Sequence, residues 1–154
     1  RAAGGEAHGF GSDARKEDEV AALVEDIEQR IGDIDVFVFN IGANVNFPIR
    51  ETTSRVYRKV WEMAAFAGFL AGREAAKVMV PRGKGTIIFT GATASIRGQS
   101  GFSAFSGAKF ALRSLAQGRG SFSATLDHYE DVPGHIAEKV IDAHQKELAA
   151  QGGH

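Results

Sequence analysis

The chain has 154 residues, 44% of them hydrophobic and 24% charged, with a formal net charge of -1, which suits one soluble globular domain with a sizeable core. A charge so near zero excludes a global field that would draw the chain onto nucleic acid or an anionic membrane. The absence of cysteine excludes a disulfide framework, a Cys-ligated zinc and a thiol nucleophile. No apolar run nears the ~20 residues of a membrane span and no signal-peptide pattern opens the chain, so the expectation is a cytoplasmic protein.

The opening Arg1-Ala2-Ala3-Gly4-Gly5 reads as the end of a helix and a turn, and the chain as a piece of a longer one. Glu6 to Ser12 is short and Gly-interrupted, compatible with a strand near 6–11. From Asp13 to Arg30 the period changes: Val20, Leu23, Val24 and Ile27 form the apolar stripe of a helix packed on a sheet, which Gly32 stops. Asp35-Val36-Phe37-Val38-Phe39-Asn40 is near-continuously apolar, the pattern of a strand buried on both faces of a parallel sheet. A long helix is expected from about Thr53 to Val80, ended by Pro81 and Gly83. Gly85 to Gly91 carries a third strand, and after a Gly- and Ser-rich loop Ala104 to Gln117 is helical. Strand and helix alternating, with crossovers of helical length, predict a three-layer α/β core of parallel strands joined by βαβ units. Gly118-Arg119-Gly120-Ser121 reads as a linker. A last amphipathic helix is expected from about Val132 to Ala150, capped by Asp131. The domain reading is thus 1–117, with 118–154 a linker and helix packed on the same domain.

Four local patterns fall in one register. Asp13 stands seven residues before Val20. Val38-Phe39-Asn40-Ile41-Gly42 makes a tight turn at a strand's carboxyl end, where ligands sit in open α/β sheets. Gly85 to Gly91 is the next strand, and Phe105-Ser106-Gly107-Ala108-Lys109 lies on the following helix. In this order they resemble the short-chain dehydrogenase/reductase family, over roughly residues 1–117. The resemblance implies a Rossmann-like parallel sheet flanked by helices, here partial with three recognisable strands. It also implies an NAD- or NADP-dependent oxidoreductase moving hydride between the nicotinamide and a small alcohol or carbonyl. It places Asp13 at the adenine, Asn40 and Gly42 at the turn after the fourth strand, and Lys109 at the nicotinamide ribose.

The same register shows what has changed. In the family a tyrosine is the acid/base, a lysine lowers its pKa, a serine orients the substrate and a helical asparagine holds a relay water. Alignment on Lys109 puts Phe105 at the tyrosine position, Ala92 at the serine and Ala65 at the asparagine. Three of the four groups have no hydrogen-bonding side chain. A positioned acid/base contributes typically 10²–10⁴ in rate, or about 3–5 kcal/mol of barrier. The region before Glu6 carries no strand followed by a glycine-rich turn at a helix N-terminus, the arrangement that binds a pyrophosphate. In the family strand order 3-2-1-4-5, if the protein starts at Arg1, the strand at 6–11 is expected either to pair directly with that at 35–39 or to leave it as an apolar edge. Negligible turnover and weak or absent dinucleotide binding follow as expectations.

No metal site is expected: His135 and His144 are nine residues apart, not the three or four that share a helix face. Ser95, Ser100, Ser103 and Ser106 lack the Gly-x-Ser-x-Gly setting of a nucleophile. The function the resemblance implies is that of a short-chain oxidoreductase homologue, expected to be inactive as this chain, and the alternative is a noncatalytic dimerisation or interaction module. A homodimer is expected because Trp61, Phe66 and Phe69 on one helix, and Phe105 and Phe110 on the other, put apolar residues on more than one face. The family implies a four-helix bundle there.

Overall fold

The computed structural model describes residues 4–116; the linker at 118–121 and the helix expected over 132–150 lie outside them. In chain order the elements are α1 (Glu17–Arg30), β1 (Val36–Phe39), α2 (Ser54–Trp61), α3 (Ala67–Arg82), β2 (Thr86–Phe89) and α4 (Ser103–Ser114). The two strands pair in parallel, Val36 beside Thr86 through Phe39 beside Phe89, joined by a helical crossover as expected for an α/β sheet.

α1 opens on Glu17, Asp18 and Glu19 and ends on Arg30, charges that complement the helix dipole at both ends. Gly32, at φ 134°, turns the chain out and donates its N–H to the carbonyl of Ile27. α2 is capped by the Thr53 hydroxyl, which accepts from the Val56 N–H at 3.2 Å. The helix expected over 53–80 is one run from Ser54 to Arg82, but the five residues Glu62–Phe66 between α2 and α3 are π-helical. Pro81 sits inside the last turn rather than ending it, and Gly83 in the left-handed region is the cap.

The core lies between the helices and one face of the sheet: Val20 of α1, Phe39 of β1, Ala67 and Ala71 of α3 and Leu112 of α4 pack together. A second cluster joins Val60 and Ala64 to Ala104 and Ala108, tying the long helix to α4. Small residues set the depth of this packing. A Cβ on Gly68 would stand 2.4 Å from Leu112 Cδ1 and 3.2 Å from the Phe39 ring, and one on Gly72 would stand 2.7 Å from Phe89.

Two expectations are corrected. Residues 6–11 form no strand: every one of them is exposed and none pairs with β1. A strand is held by its ladder, and this segment, with Gly9 and Gly11 weakening it further, has no neighbour among the described residues. β1 is not buried on both faces either: Phe37 and Phe39 turn toward the helices, while Val36 and Val38 are each 57% exposed and Ile88 45%. Among the described residues the architecture is two layers, not three, with one strand pair rather than three strands.

The close approach at Gly68 makes a direct test. Gly68→Ala adds helix propensity, about 1 kcal/mol in its favour, but forces a methyl onto two fully buried side chains, which costs roughly 1–3 kcal/mol. The expected outcome is a net loss of stability, read as a lower Tm or a lower urea midpoint.

Candidate functional site

The carboxyl ends of β1 and β2 lie side by side, closed by the Thr90 N–H donating to the Phe39 carbonyl at 2.9 Å. The loops that leave them are stitched together: Phe47 bridges Phe102, and the Phe47 N–H donates to the Gly101 carbonyl at 2.8 Å. Gly101 takes φ 80° there, and a Cβ on it would collide with Asn46 Oδ1 at 2.5 Å. This loop-to-loop tie frames the crevice and was not legible in the sequence, which shows only two loops without a register.

Into this frame α4 delivers Lys109. The residue is 5% exposed, and Nζ donates to the Thr90 carbonyl at 2.7 Å. Nζ also lies 5.9 Å from the centroid of the Phe105 ring, within range of a cation–π contact. Lys109 and Phe105 are one turn apart on a helix, so the two meet for the same reason that i and i+4 residues share a face. Phe105 in turn packs edge-on against Phe102 at 6.5 Å. No carboxylate or phenol pairs with Lys109 among the described residues, and burial pushes its pKa below the usual lysine value.

The other expected residues are placed as follows. Asn40 and Gly42 are exposed on the turn after β1, and a Cβ on Gly42 would stand 3.4 Å from Lys109 Nζ. Ala92 is extended and begins the loop after β2; its N–H donates to Ser95 Oγ at 3.0 Å. That buried serine, set aside in the sequence as a turn residue, holds the loop and not a ligand. Ala65 is 5% exposed and falls within the π-helical turn, a feature frequent at functional sites. The structure thus brings Asn40, Gly42, Phe105 and Lys109 to one end of the sheet, with Ala92 just beyond it. Asp13 stands apart at the head of α1. Its carboxylate accepts from Arg15 Nε at 2.9 Å and Nη2 at 2.7 Å, and these bonds hold it well below the ordinary carboxylate range. Ser106, 7% exposed, has an Oγ with no partner among the described residues; only its burial would have singled it out.

These residues fit one corner of a dinucleotide. Lys109 and Asn40 could hold the nicotinamide ribose, which when bound supplies the hydride-carrying ring. The pyrophosphate finds no counterpart among the described residues: α1 begins with three acidic side chains, which repel phosphate, and the α2 N-terminus is occupied by Thr53. Among the described residues no group of three or more His, Cys, Asp or Glu could hold a metal, and no helix is long and apolar enough to cross a membrane.

The lowered pKa of Lys109 has a sign that can be read. The unfolded chain holds the proton up to about 10.5, while the folded chain releases it earlier, so across the window between the two the unfolded state binds more protons. Stability should therefore rise with pH through that window for the wild type relative to Lys109→Met. Urea midpoints of both proteins, measured from neutral pH to about pH 10, would show the gap moving in favour of the wild type; a pH-independent gap would contradict it.

The family model described as short chain dehydrogenase matches residues 1–121. The crystal structure of a short-chain dehydrogenase from Rhodopseudomonas palustris is 57% identical, with a TM-score of 0.72 over 76% of this chain and 55% of that one. Zerumbone synthase of Zingiber zerumbet is 30% identical across 74% of this chain and 44% of its own length. The 2-dehydro-3-deoxy-D-gluconate 5-dehydrogenase of Formosa agariphila is 31% identical across 71% and 41%. The chain spans about half the length of these relatives.

Proposed function

Because the chain belongs to the short-chain dehydrogenase family, we propose that it is an NAD(P)-dependent oxidoreductase homologue that no longer supports ordinary alcohol or carbonyl turnover as this chain. One observation carries the reading. At the end of the sheet where the family's resemblance places a phenol, a phenylalanine ring faces the lysine, and the ammonium is turned onto the Thr90 carbonyl instead. Without the phenol, Lys109 has no acid to tune, and the general acid/base share of catalysis, typically 10²–10⁴, is gone. Ala92 and Ala65 remove the substrate and relay contacts, losses that need not add in full because such groups act as a unit. The reading does not choose between NAD and NADP, because the residue that selects between them in the family accompanies the phosphate-binding turn, which has no counterpart among the described residues.

Titration with NAD(H) and NADP(H), followed by thermal shift and by nicotinamide fluorescence, tests this reading. The expected outcome is no saturation in the low micromolar range and no alcohol turnover near an ordinary ~10 s⁻¹. Saturation in the low micromolar range, or turnover at that rate, would show that another constellation has taken over.

A second reading has its own observation. Trp61, Phe66 and Phe69 stack at 6.1 and 6.4 Å, Arg73 lies 5.4 Å from the Phe69 ring, and Trp61 and Phe69 are 40% and 43% exposed. An aromatic column of this kind, beside an open groove lined by Ile49, Tyr57, Trp61 and Ser103, has the makings of an interaction surface. It supports a homodimeric, noncatalytic module whose bundle uses α2, α3 and α4. Sedimentation at micromolar concentration should give a dimer mass for the wild type and a monomer for Trp61→Glu combined with Phe69→Glu. A monomeric wild type, with the residues after Val132 protected from protease, would mean that the chain covers the column itself.

A further inference from the structure

The groove of about 760 Å³ between α2 and α4 lies on another side of α4 from the sheet crevice. Its α4 residues, Ser103 and Gly107, are one turn apart, and Phe105 and Lys109 point roughly 200° around the helix from them. Tyr57 and Trp61 of α2, also one turn apart, give the groove two aromatic rings, and Ile49, 76% exposed, adds an apolar side chain. A Cβ on Gly107 would stand 2.7 Å from Tyr57 Oη, so the phenol lies against bare helix backbone. A concave site of this size, apolar apart from a few polar groups, has the make-up of a small-molecule site.

The polar groups in it call for an acceptor. The Thr52 hydroxyl already donates to the Pro48 carbonyl at 3.0 Å. The Ser54 and Tyr57 hydroxyls and the Arg58 guanidinium, all of which can donate, have no side-chain partner among the described residues, and no carboxylate lines the groove. Ser54 and Arg58 are four apart on α2 and share a face. The surroundings carry the same sign. Arg30 of α1 and Arg73, Lys77 and Arg82 of α3 each pair with a carboxylate, whereas Arg55, Arg58 and Lys59 of α2 pair with none among the described residues. Uncompensated cations on one short helix raise the local concentration of anions, and a guanidinium is the side chain best matched to a carboxylate.

We propose that this groove binds a small aromatic carboxylate, its ring against Tyr57 and Trp61 and its carboxylate on Arg58, with the Ser54 hydroxyl as a second donor. A neutral ligand leaves the guanidinium without an acceptor of opposite charge, and a cationic one is repelled by α2. A second copy of the chain is the poorer occupant of the groove itself, because a two-fold contact centred there sets the α2 cations against their own copies. The site uses neither Lys109 nor the carboxyl ends of the strands, so it stands apart from the hydride-transfer reading.

Trp61 is the one tryptophan of the chain, so its fluorescence reports the groove directly. The probes are 3-phenylpropanoate and its uncharged counterpart 3-phenylpropanamide, titrated into the full chain at neutral pH. The expected result is a saturable change in Trp61 emission with the acid, several-fold tighter than with the amide, and a gap that narrows with added salt because Arg58 is exposed. Arg58→Gln should weaken the acid to the level of the amide and leave the amide unchanged. No saturation, equal affinity for acid and amide, or an acid affinity that Arg58→Gln does not alter overturns the proposal. Sedimentation of the same samples covers the other occupant: a dimer that persists and excludes the acid shows that a second copy takes the groove, which overturns it too. The comparison of acid and amide on the wild type decides by itself if the variant does not fold. None of these outcomes bears on the nicotinamide titration, so the two readings can fail separately.

Discussion

The structure depends on how closely α3 can lie against two strands. At Gly68 and Gly72 the helix presents no side chain, and the rings of Phe39 and Phe89 fill the space a Cβ would need. Leu112 enters the same gap from α4, which fixes the height of α4 above the sheet. Lys109 is three residues earlier on that helix, on the same face. Its Nζ therefore arrives at the Thr90 carbonyl because Leu112 has already docked against Gly68. The position of Lys109 is a consequence of packing several residues away, in which two glycines hold α3 within reach of the strands.

Legibility followed periodicity and failed where a partner was needed. The stripe at Val20 and Val24, the β-branched run at Val36–Phe39 and the strand at Thr86–Phe89 each carry their own signal, and the structure places an element on each. The contact between Phe105 and Lys109 was legible for the same reason, since residues four apart on a helix share a face. The segment at 6–11 shows the limit: residues of modest β propensity, interrupted by glycine, become a strand only when a ladder neighbour holds them. The π-helical turn at Glu62–Phe66 is likewise absent from the pattern, because one extra residue in a hydrogen-bonded ring leaves apolar spacing almost unchanged over a single turn. The bridge between Phe47 and Phe102 is a long-range contact between irregular segments, to which no local period points.

Replacing a tyrosine by phenylalanine beside a lysine does more than delete an acid. A phenol oxygen could accept from the ammonium or share its proton; a phenyl ring offers only its quadrupole, worth about 0.5–1 kcal/mol where solvent reaches it and more where it does not. The buried charge at Lys109 is left with one neutral acceptor, and burial is the one cause that moves its proton affinity. Lys109 is thus the least solvated lysine among the described residues, with no acidic neighbour to balance its charge.

The sheet carries a matching tension. Val36, Val38 and Ile88 are residues whose type and alternation suit a strand packed on both faces, and all three stand in water on the face away from the helices. At roughly 25 cal/mol per Å² of apolar surface, such a face contributes nothing to stability while exposed, whereas Phe37 and Phe39 on the other side are drawn under α3. Among the described residues β1 is thus held by one face and one ladder, and its hold rests on the same contacts that seat Lys109: Phe39 against Gly68 and Leu112. Loosening α3 would release the strand end, the Thr90 carbonyl and the lysine together, so the fold and the candidate site share one point of failure.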